Sequence, residues 1–330
     1  MRRITLADGG GGLASRRLIE EQLLPRFGAH LQDLPDAATL PIPQRGLVFS
    51  TDSFVVQPLE FPGGNIGHLA VHGTVNDVAV AGGRPLWLSL ALILEEGLPL
   101  DTLGRVLDAV AGAARAVGVQ VVTGDTKVVP RGQCDGMYVT TAGIGEVIEG
   151  LSLGPQRLTP GDRILVSGPL GDHGMAVLAA REGFSAGPRS DTAPVYRLVE
   201  AAAPLGPALR FLRDPTRGGL AAALCEAVSG RPVGALLDER RLPFAPATRS
   251  LAELLGVDLL QVACEGRVLA VCAAEQADAL LAAWRALPEG EAAADIGSVT
   301  GTPGRVVLET AVGGRRVIDL PAGELLPRIC

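Results

Sequence analysis

Lysine is nearly missing from this sequence. Of its 29 basic residues, 28 are arginine, and Lys127 is the one lysine. Aromatic residues are also scarce, at 3% of the 330 residues. The longest apolar run spans residues 85–94 and ends at two glutamates, well short of the roughly 20 residues that a membrane-spanning helix needs. We therefore expect no membrane segment and no membrane partner.

Positive charge and a leader pattern are missing as well. The net charge is −7, with an isoelectric point near 5.2, whereas a general nucleic-acid-binding protein needs a basic face. That class of protein is therefore excluded. The first residues include two arginines but too few apolar residues before Asp8 to form a secretory signal. The sequence favours a cytoplasmic protein.

The cysteines do not suggest a disulfide or zinc scaffold. There are five, an odd number, and none forms a Cys-x-x-Cys pair. Four are internal and lie among apolar residues, as small buried hydrophobic side chains do. Cys330 is different, because it is the last residue of the sequence, in a proline-containing segment where packing does not explain it.

The single lysine is a second unusual feature. A chain that uses arginine at every other basic position has little need of one lysine unless a compact ammonium group, whose pKa can shift, is required there. Compositional drift remains the alternative. Lys127 is thus a candidate for ammonium chemistry.

Length and pattern predict two α/β domains. At about 150 residues per domain, 330 residues correspond to about two. Strand-like and helix-like segments alternate from Gly46 onward, which is typical of layered α/β folds. Among them we expect a helix over residues 100–117, a short strand over 119–123, a helix from about His173 and a hairpin over 305–320 that turns at Gly313 and Gly314. We expect a glycine-rich arm and connector (1–45), an N-terminal domain (46–150), a C-terminal domain (151–320) and a flexible tail (321–330), which extended would reach about 35 Å.

Two segments have the composition of anion-binding loops. Gly9, Gly10, Gly11 and Gly12 precede a predicted helix, so their N–H groups can converge on an anion beside the helix N-terminus; a plain linker is the alternative. Residues 213–219 also open a predicted helix, and Arg217 can bind phosphate or carboxylate there.

Three aspartates follow strands or lie on a helix in the first domain. We expect Asp52, Asp77 and Asp125 to face a common cleft, where a divalent cation with phosphate ligands would offset their charge. Helix caps and turns are the alternative role for such residues. Asn65 has the same two alternatives, a helix N-cap or a ligand contact.

Five motifs resemble a known family, in the family's order. They are residues 50–56, 61–77, 122–129, 214–219 and the terminal Pro-Arg-Ile-Cys, residues 327–330. Together they are similar to the carbamoyl dehydratases of nickel–iron hydrogenase maturation, within the aminoimidazole-ribonucleotide-synthetase-like superfamily. The resemblance implies two α/β domains with ATP and Mg²⁺ in the cleft between them. It also implies a homodimer whose N-terminal sheets form a β-barrel.

The resemblance also implies a reaction. The terminal cysteine, here Cys330, receives a carbamoyl group from a HypF-type carbamoyltransferase. The enzyme dehydrates it with ATP to a thiocyanate, and the cyano group passes to iron on a HypC–HypD-type complex. Phosphorylation of the carbamoyl oxygen would precede loss of two N–H protons, with Lys127 and Glu265 as catalytic candidates.

The remaining residues take their expected roles from the matching positions. The nucleotide would be bound by Gly9, Gly10, Gly11, Gly12, Asn65, Asn76, Thr126 and Arg217, and Mg²⁺ by Asp52, Asp77 and Asp125. Two positions depart from the family pattern. Asp8 stands where the family usually has histidine, and Asn65 where it usually has aspartate.

Two other functions remain open. The chain is alternatively another ATP-dependent member of the superfamily that phosphorylates a free amide or carbonyl substrate, or a non-catalytic scaffold that presents Cys330 to hydrogenase assembly partners.

Overall fold

The computed structural model of the chain describes residues 2–10, 12–27, 37–184, 186–320 and 329–330. The N-terminal segment has a 3-10 helix (Leu6–Gly9) followed by a continuous helical stretch of three parts. These are α1 (Leu13–Leu18), a π-helical turn (Ile19–Leu23) and α2 (Leu24–Phe27). The predicted helix in this segment is therefore present.

A four-stranded sheet and two helices form the N-terminal part of the molecule. Its elements are β1 (Leu47–Phe54), β2 (Glu60–Phe61), β3 (Gly64–Asn65), α3 (Ile66–Val80), β4 (Gly83–Glu95), α4 (Leu100–Val117), β5 (Gln120–Val129) and β6 (Met137–Val147). The sheet order is β1-β6-β4-β5, with β4 and β5 parallel and the other pairs antiparallel. The strands β2 and β3 form a separate small hairpin.

The two faces of this sheet differ. Helix α3 packs against β1, β4 and β6, and α4 packs against α3 and β5. Helix α4 does so through an apolar stripe that includes Leu103, Val106 and Val110, all buried. The opposite face, which we call the open face, leaves large apolar side chains in solvent: Leu47 is 59% exposed and Phe49 66%.

A seven-stranded sheet organises the C-terminal part. Its elements are β7 (Arg163–Val166), α5 (Asp172–Arg181), α6 (Tyr196–Ala202), β8 (Leu209–Arg213), α7 (Gly219–Val228), β9 (Gly234–Asp238), α8 (Pro246–Leu255), β10 (Leu269–Cys272), α9 (Ala277–Arg285), β11 (Ala294–Thr300), β12 (Val306–Glu309) and β13 (Arg315–Ile318). The sheet order is β13-β12-β9-β11-β7-β10-β8, antiparallel except for β9 and β12.

Both faces of the second sheet are covered. On β7, Ile164 and Val166 join an apolar cluster with α7, while Leu165 points to the other side and joins a cluster with α6 and α9. All four residues of β10 are buried for the same reason. Strands buried on both faces appear in sequence as continuous apolar runs, and residues 268–273 show such a run.

Helix α3 joins the two parts. Thirteen of its 15 residues are buried, as expected for a helix surrounded by protein on all sides. Its Asn76 side chain donates to the carbonyl oxygens of Ala193 (3.0 Å) and Glu265 (3.2 Å), and accepts from the N–H of Val195 (2.8 Å). This helix therefore brings residues of the first sheet to the surface of the second domain.

The predicted two-domain α/β fold is confirmed, while some elements differ from the expectation. The short strand expected at 119–123 extends through Val129 as β5, because it pairs with β4 along its whole length and no proline intervenes before Pro130. Strands β8 and β9 and helix α8 were not predicted. Among the described residues, no helix is long and apolar enough to cross a membrane.

Candidate active site

The C-terminal cysteine lies at the junction of the two parts of the molecule. The N–H of Val55, just after β1, donates to the Cys330 carbonyl oxygen at 3.2 Å. The preceding Ile329 is 5% exposed and belongs to the apolar core of the first domain. Residues 321–328 of the predicted flexible tail lie outside the described residues, but its last two residues are docked against the protein.

The Cys330 thiol faces a buried carboxyl group. Glu265 is 2% exposed, and its side chain is hydrogen-bonded to the Cys330 side chain, while its Oε1 has no hydrogen-bond partner. Burial raises the pKa of Glu265 well above its ordinary value, and Asp214 and Asp191 add to this shift. Burial, followed by Glu265, also raises the pKa of the Cys330 thiol. The Cys330 thiol is therefore protonated at neutral pH, and burial favours the protonated form of Glu265 more than it would for an exposed glutamate.

The backbone of Glu265 is held on both sides. Asp191 accepts a hydrogen bond from its N–H at 3.1 Å, and Asn76 donates to its carbonyl oxygen at 3.2 Å. The next residue must be glycine, because a Cβ at Gly266 would lie 1.9 Å from the Asp191 carbonyl oxygen. Glycine is therefore required directly after Glu265, and the close backbone packing at Gly266 helps to hold Glu265 in its orientation.

An acidic cluster adjoins the thiol. Asp52 of β1 and Asp77 of α3 are hydrogen-bonded to each other, and Asp77 also accepts from Ser50 at 2.6 Å. Asp214, just after β8, is 5% exposed. Burial and then the charge of Asp77 raise the pKa of Asp52 to about 6 and that of Asp214 to about 7. The mutual repulsion makes this cluster a suitable place for a cation.

The positive charge of Arg217 acts on this cluster. The residue is exposed, in the turn before α7. Its charge lowers the pKa of both Asp52 and Cys330, against the larger raising effects of burial and the acidic neighbours. The structure therefore brings Cys330, Glu265, Asp52, Asp77 and Arg217 to one place.

Asp125 and Lys127 lie elsewhere in the chain, which corrects the expectation of one cleft for all three aspartates. Asp125 aligns with Ala91, Thr140 and Ser53 across the sheet, on the open face. Three strand spacings, about 14 Å, separate it from β1. The cause is the pairing of β5 with β4, which places Asp125 opposite Ala91 on the open face.

The lone lysine shares the open face with Asp125. The two side chains are more than 60% exposed and form an ion pair at 3.2 Å. Gly9 packs on the following residue of the strand, where a Cβ would lie 2.5 Å from the backbone nitrogen of Val128. Within one chain, the glycine-rich loop and Lys127 therefore form a second group, apart from Cys330. Gly11 lies outside the described residues.

The other expected nucleotide ligands are engaged in structural contacts. Asn65 is the N-cap of α3: its Oδ1 accepts from the N–H groups of Gly67 (2.9 Å) and His68 (3.2 Å). The amide of Asn76 holds the domain junction, as described above. Thr126 pairs with Leu92 and so points to the helix-covered face of the first sheet. The side-chain amides of Asn65 and Asn76 are therefore occupied by structural hydrogen bonds within this chain.

Asp8, the first departure from the family pattern, does not face an anion site. It is 4% exposed, and its carboxylate accepts from the N–H and hydroxyl of Thr5 at 2.8 Å each. The guanidinium of Arg2 lies 3.4 Å away. Asp8 therefore closes a capping box at the 3-10 helix, and its charge is neutralised locally.

Sequence reasoning missed three residues at this site. Asp214 lies in a motif that was noticed for its arginines, Asp191 lies in a segment without a pattern, and His173 was assigned only to a helix. His173 lies in the first turn of α5, with its Nε2 2.6 Å from the Ile329 carbonyl oxygen. The signal that could have found Asp214 is the proline after it, which fixes the loop that buries it.

Comparison with known proteins defines the class. The AIR synthase related protein family matches in two parts, its N-terminal domain over residues 35–147 and its C-terminal domain over residues 159–309. Carbamoyl dehydratase HypE of Azotobacter vinelandii is 48% identical over 331 residues, covering 99% of this chain and 97% of the relative. The chain has the two-domain AIR synthase fold.

Solved structures agree. A crystal structure of hydrogenase maturation protein HypE in complex with ATP superposes with a TM-score of 0.94 at 46% identity, covering 99% of both chains. HypE in a crystallised HypE–HypF complex superposes with a TM-score of 0.81 at 39% identity, covering 94% of this chain and 100% of that chain. The chain belongs to the HypE family of carbamoyl dehydratases.

Proposed function

We propose that this protein is an ATP-dependent carbamoyl dehydratase in hydrogenase maturation and that its substrate is the S-carbamoyl group on its own Cys330. The supporting observation is the position of that thiol, which is docked beside the buried Glu265 and the acidic cluster of Asp52, Asp77 and Asp214. The Cys330 side chain is close enough to Glu265, Arg217 and Asp52 for each of them to shift its pKa.

The proposed chemistry has two stages. In the first, the carbamoyl oxygen on Cys330 attacks the γ-phosphorus of ATP, ADP leaves, and one N–H proton is lost. In the second, the remaining N–H proton and the phosphate leave, and a thiocyanate remains. The net change is the transfer of the elements of one water to ATP, giving ADP and inorganic phosphate. Phosphorylation is required because an amide oxygen is a poor leaving group.

Glu265 is the proposed proton acceptor. Burial, and then four acidic neighbours, raise its pKa and so favour its protonated form before the reaction. Neutralisation of those neighbours by a bound cation would lower that pKa and free the carboxylate to accept an N–H proton. A buried carboxyl group with an unpaired oxygen, Oε1, is suited to that role. Its fixed backbone keeps it directed at the Cys330 side chain.

The acidic cluster fits Mg²⁺ if phosphate oxygens complete the ligand set. The charge of Asp77 raises the pKa of both Asp52 and Asp214, so a cation there relieves repulsion. Among the described residues no three His, Cys, Asp or Glu side chains are placed to hold a metal ion by themselves, and Mg²⁺ commonly takes one or two carboxylates with phosphates. Mg²⁺, when bound, offsets charge on the transferred phosphoryl group.

The open face supports a homodimer. Leu47, Phe49 and Ile93 are 59%, 66% and 39% exposed on one face of one sheet, a pattern that marks an interaction surface. Two copies joined through this face would form the β-barrel expected for the family. Lys127, Asp125 and the glycine-rich loop would then lie between the copies, and we propose that they contact the nucleotide there.

The proposed partners follow the family. We propose a HypF-type carbamoyltransferase as the donor of the carbamoyl group, by analogy with the crystallised HypE–HypF complex, and a HypC–HypD-type iron carrier as the acceptor of the cyano group. The proposed location is the cytoplasm.

Mass analysis of the C-terminal peptide tests the proposed function. During incubation with carbamoyl phosphate, the carbamoyltransferase and ATP, the peptide ending in Cys330 should first gain the mass of one carbamoyl group and then lose one water. The chain without its final residue is the control and should show neither change. A scaffold would stop at the carbamoyl mass, and an enzyme for a free substrate would hydrolyse ATP equally well without Cys330.

A further inference from the structure

We propose that Ile329 and His173 form a latch that holds the C-terminal dipeptide in its docked position, with Ile329 as its apolar anchor and His173 as a positioning residue. The latch itself rests on the geometry alone; its importance for the reaction rests on the proposed function. Docking then controls whether the Cys330 thiol faces Glu265 or is free to meet a carbamoyl donor.

Ile329 supplies the apolar half of the latch. Its side chain is buried, at 5% exposure, in the cluster that also contains Val177 of α5 and Ala263 of the loop leading to Glu265. Burial of a side chain of this size contributes about 1.5–3 kcal/mol. Cys330 also packs against this cluster, and its carbonyl oxygen accepts from the Val55 N–H at 3.2 Å. Ile329 has the larger side chain and is buried, so it makes the main apolar contribution to the docked end.

His173 supplies the polar half. Its Nε2 lies 2.6 Å from the Ile329 carbonyl oxygen, which only accepts, so Nε2 carries the hydrogen. Its Nδ1 lies 2.8 Å from the Ser190 hydroxyl, which also accepts the N–H of Thr192 at 3.1 Å. Ser190 therefore donates to Nδ1 and holds the ring in the tautomer that binds the tail.

The ring of His173 is fixed and neutral. It is completely buried, with the edge of Phe61 against it at a centroid distance of 5.4 Å. Burial lowers its pKa to about 4, so the neutral tautomer persists across the neutral range. A neutral ring with one assigned N–H is a geometric element of the docking site and does not take part in proton transfer.

Docking has a chemical consequence for Cys330. In the docked position the thiol is protonated, because burial and Glu265 raise its pKa, and a thiol reacts with electrophiles as the thiolate. The undocked tail is therefore the reactive form toward external reagents. The strength of the latch sets the fraction of chains in that form.

The rate at which iodoacetamide alkylates Cys330 in the full-length protein tests the latch. The reaction is followed by mass analysis of the C-terminal peptide, without ATP or carbamoyl donor, so its outcome is independent of the proposed function. When docking is favourable, the rate is proportional to the undocked fraction. Ile329→Ala should raise it about 10- to 50-fold, and the matched Ile329→Val only about fourfold, from the methylene groups lost.

Two variants at His173 distinguish its role in positioning the C-terminal dipeptide from a general effect on folding. His173→Leu removes the donor to the Ile329 carbonyl oxygen and should raise the alkylation rate about fivefold. His173→Gln keeps an amide N–H at the position of Nε2 and should restore a rate close to that of the unchanged protein. If Ile329→Ala reacts at the unchanged rate, or if His173→Gln and His173→Leu react equally fast, the latch is refuted.

Discussion

Asp214→Asn should make the protein more stable at alkaline pH, because it removes a carboxylate that the fold holds at a disadvantage. Burial, Asp77 and Asp52 raise the pKa of Asp214 from 3.8 to about 7. The folded state therefore binds a proton more tightly than the unfolded state. Below pH 3.8 Asp214 is protonated in both the folded and the unfolded state, so it does not lower the free energy of unfolding. The free energy of unfolding then falls as pH rises from 3.8 to 7, and above pH 7 the full cost of ionising Asp214 in the folded state is present.

The size of the effect follows from that shift. About three pKa units correspond to roughly 4 kcal/mol at pH 9 and, since the unfolded group is already ionised at pH 5, to about 2 kcal/mol there. We expect the Asp214→Asn variant to have a higher free energy of unfolding than the unchanged protein by amounts of this order, and by more at pH 9 than at pH 5. These amounts already include the repulsion from Asp77 and Asp52, which contributes to the shift.

Urea unfolding at pH 5 and pH 9, without nucleotide or divalent cations, measures this difference. The matched control is Asp101→Asn, an exposed aspartate in the first turn of α4, which should not change the pH dependence. If the free energies of unfolding of the Asp214→Asn variant and of the unchanged protein fall in parallel between pH 5 and pH 9, ionisation of Asp214 does not destabilise the folded state and this reasoning is wrong.

Three further predictions concern activity and assembly. Glu265→Gln should leave carbamoylation of Cys330 intact but slow dehydration about 10²- to 10⁴-fold in single-turnover assays, the usual range for a general base; normal turnover would exclude Glu265 from proton transfer. Lys127→Arg should still bind ATP in a calorimetric titration yet lose most dehydration, and near-normal turnover would argue against a special role for the ammonium group. Phe49→Asp should yield monomers in sedimentation experiments, whereas exposed Val312→Asp, on the turn between β12 and β13, should not.

The fold was largely predictable because it rests on patterns visible within one segment. Helix α4 was predicted at the bounds that the structure shows, since its apolar residues recur at helical spacing and Gly118 ends it in a left-handed conformation. The hairpin of β12 and β13 follows from the glycine pair between them. Strand β8 was missed because Arg210 and Arg213 interrupt a five-residue strand whose other residues are apolar and buried.

The site was predictable only in part, because it depends on which face a residue occupies. Asp52 and Asp77 meet since β1 and α3 pack directly on each other, whereas the pairing of β5 with β4 places Asp125 opposite Ala91 on the open face. A shift of one residue in strand register cannot be seen in the local sequence, yet it reverses the face. The partners of Glu265, Asp191 and Asn76, come from distant segments and leave no local signal.

The fate of the carbamoyl oxygen tests the central claim most directly. With a heavy-isotope label on the carbamoyl oxygen of Cys330, addition of ATP should place the label in inorganic phosphate, because that oxygen is phosphorylated before it leaves. Release of the label into water, with unlabelled phosphate, would contradict phosphoryl transfer to the protein's own terminal residue.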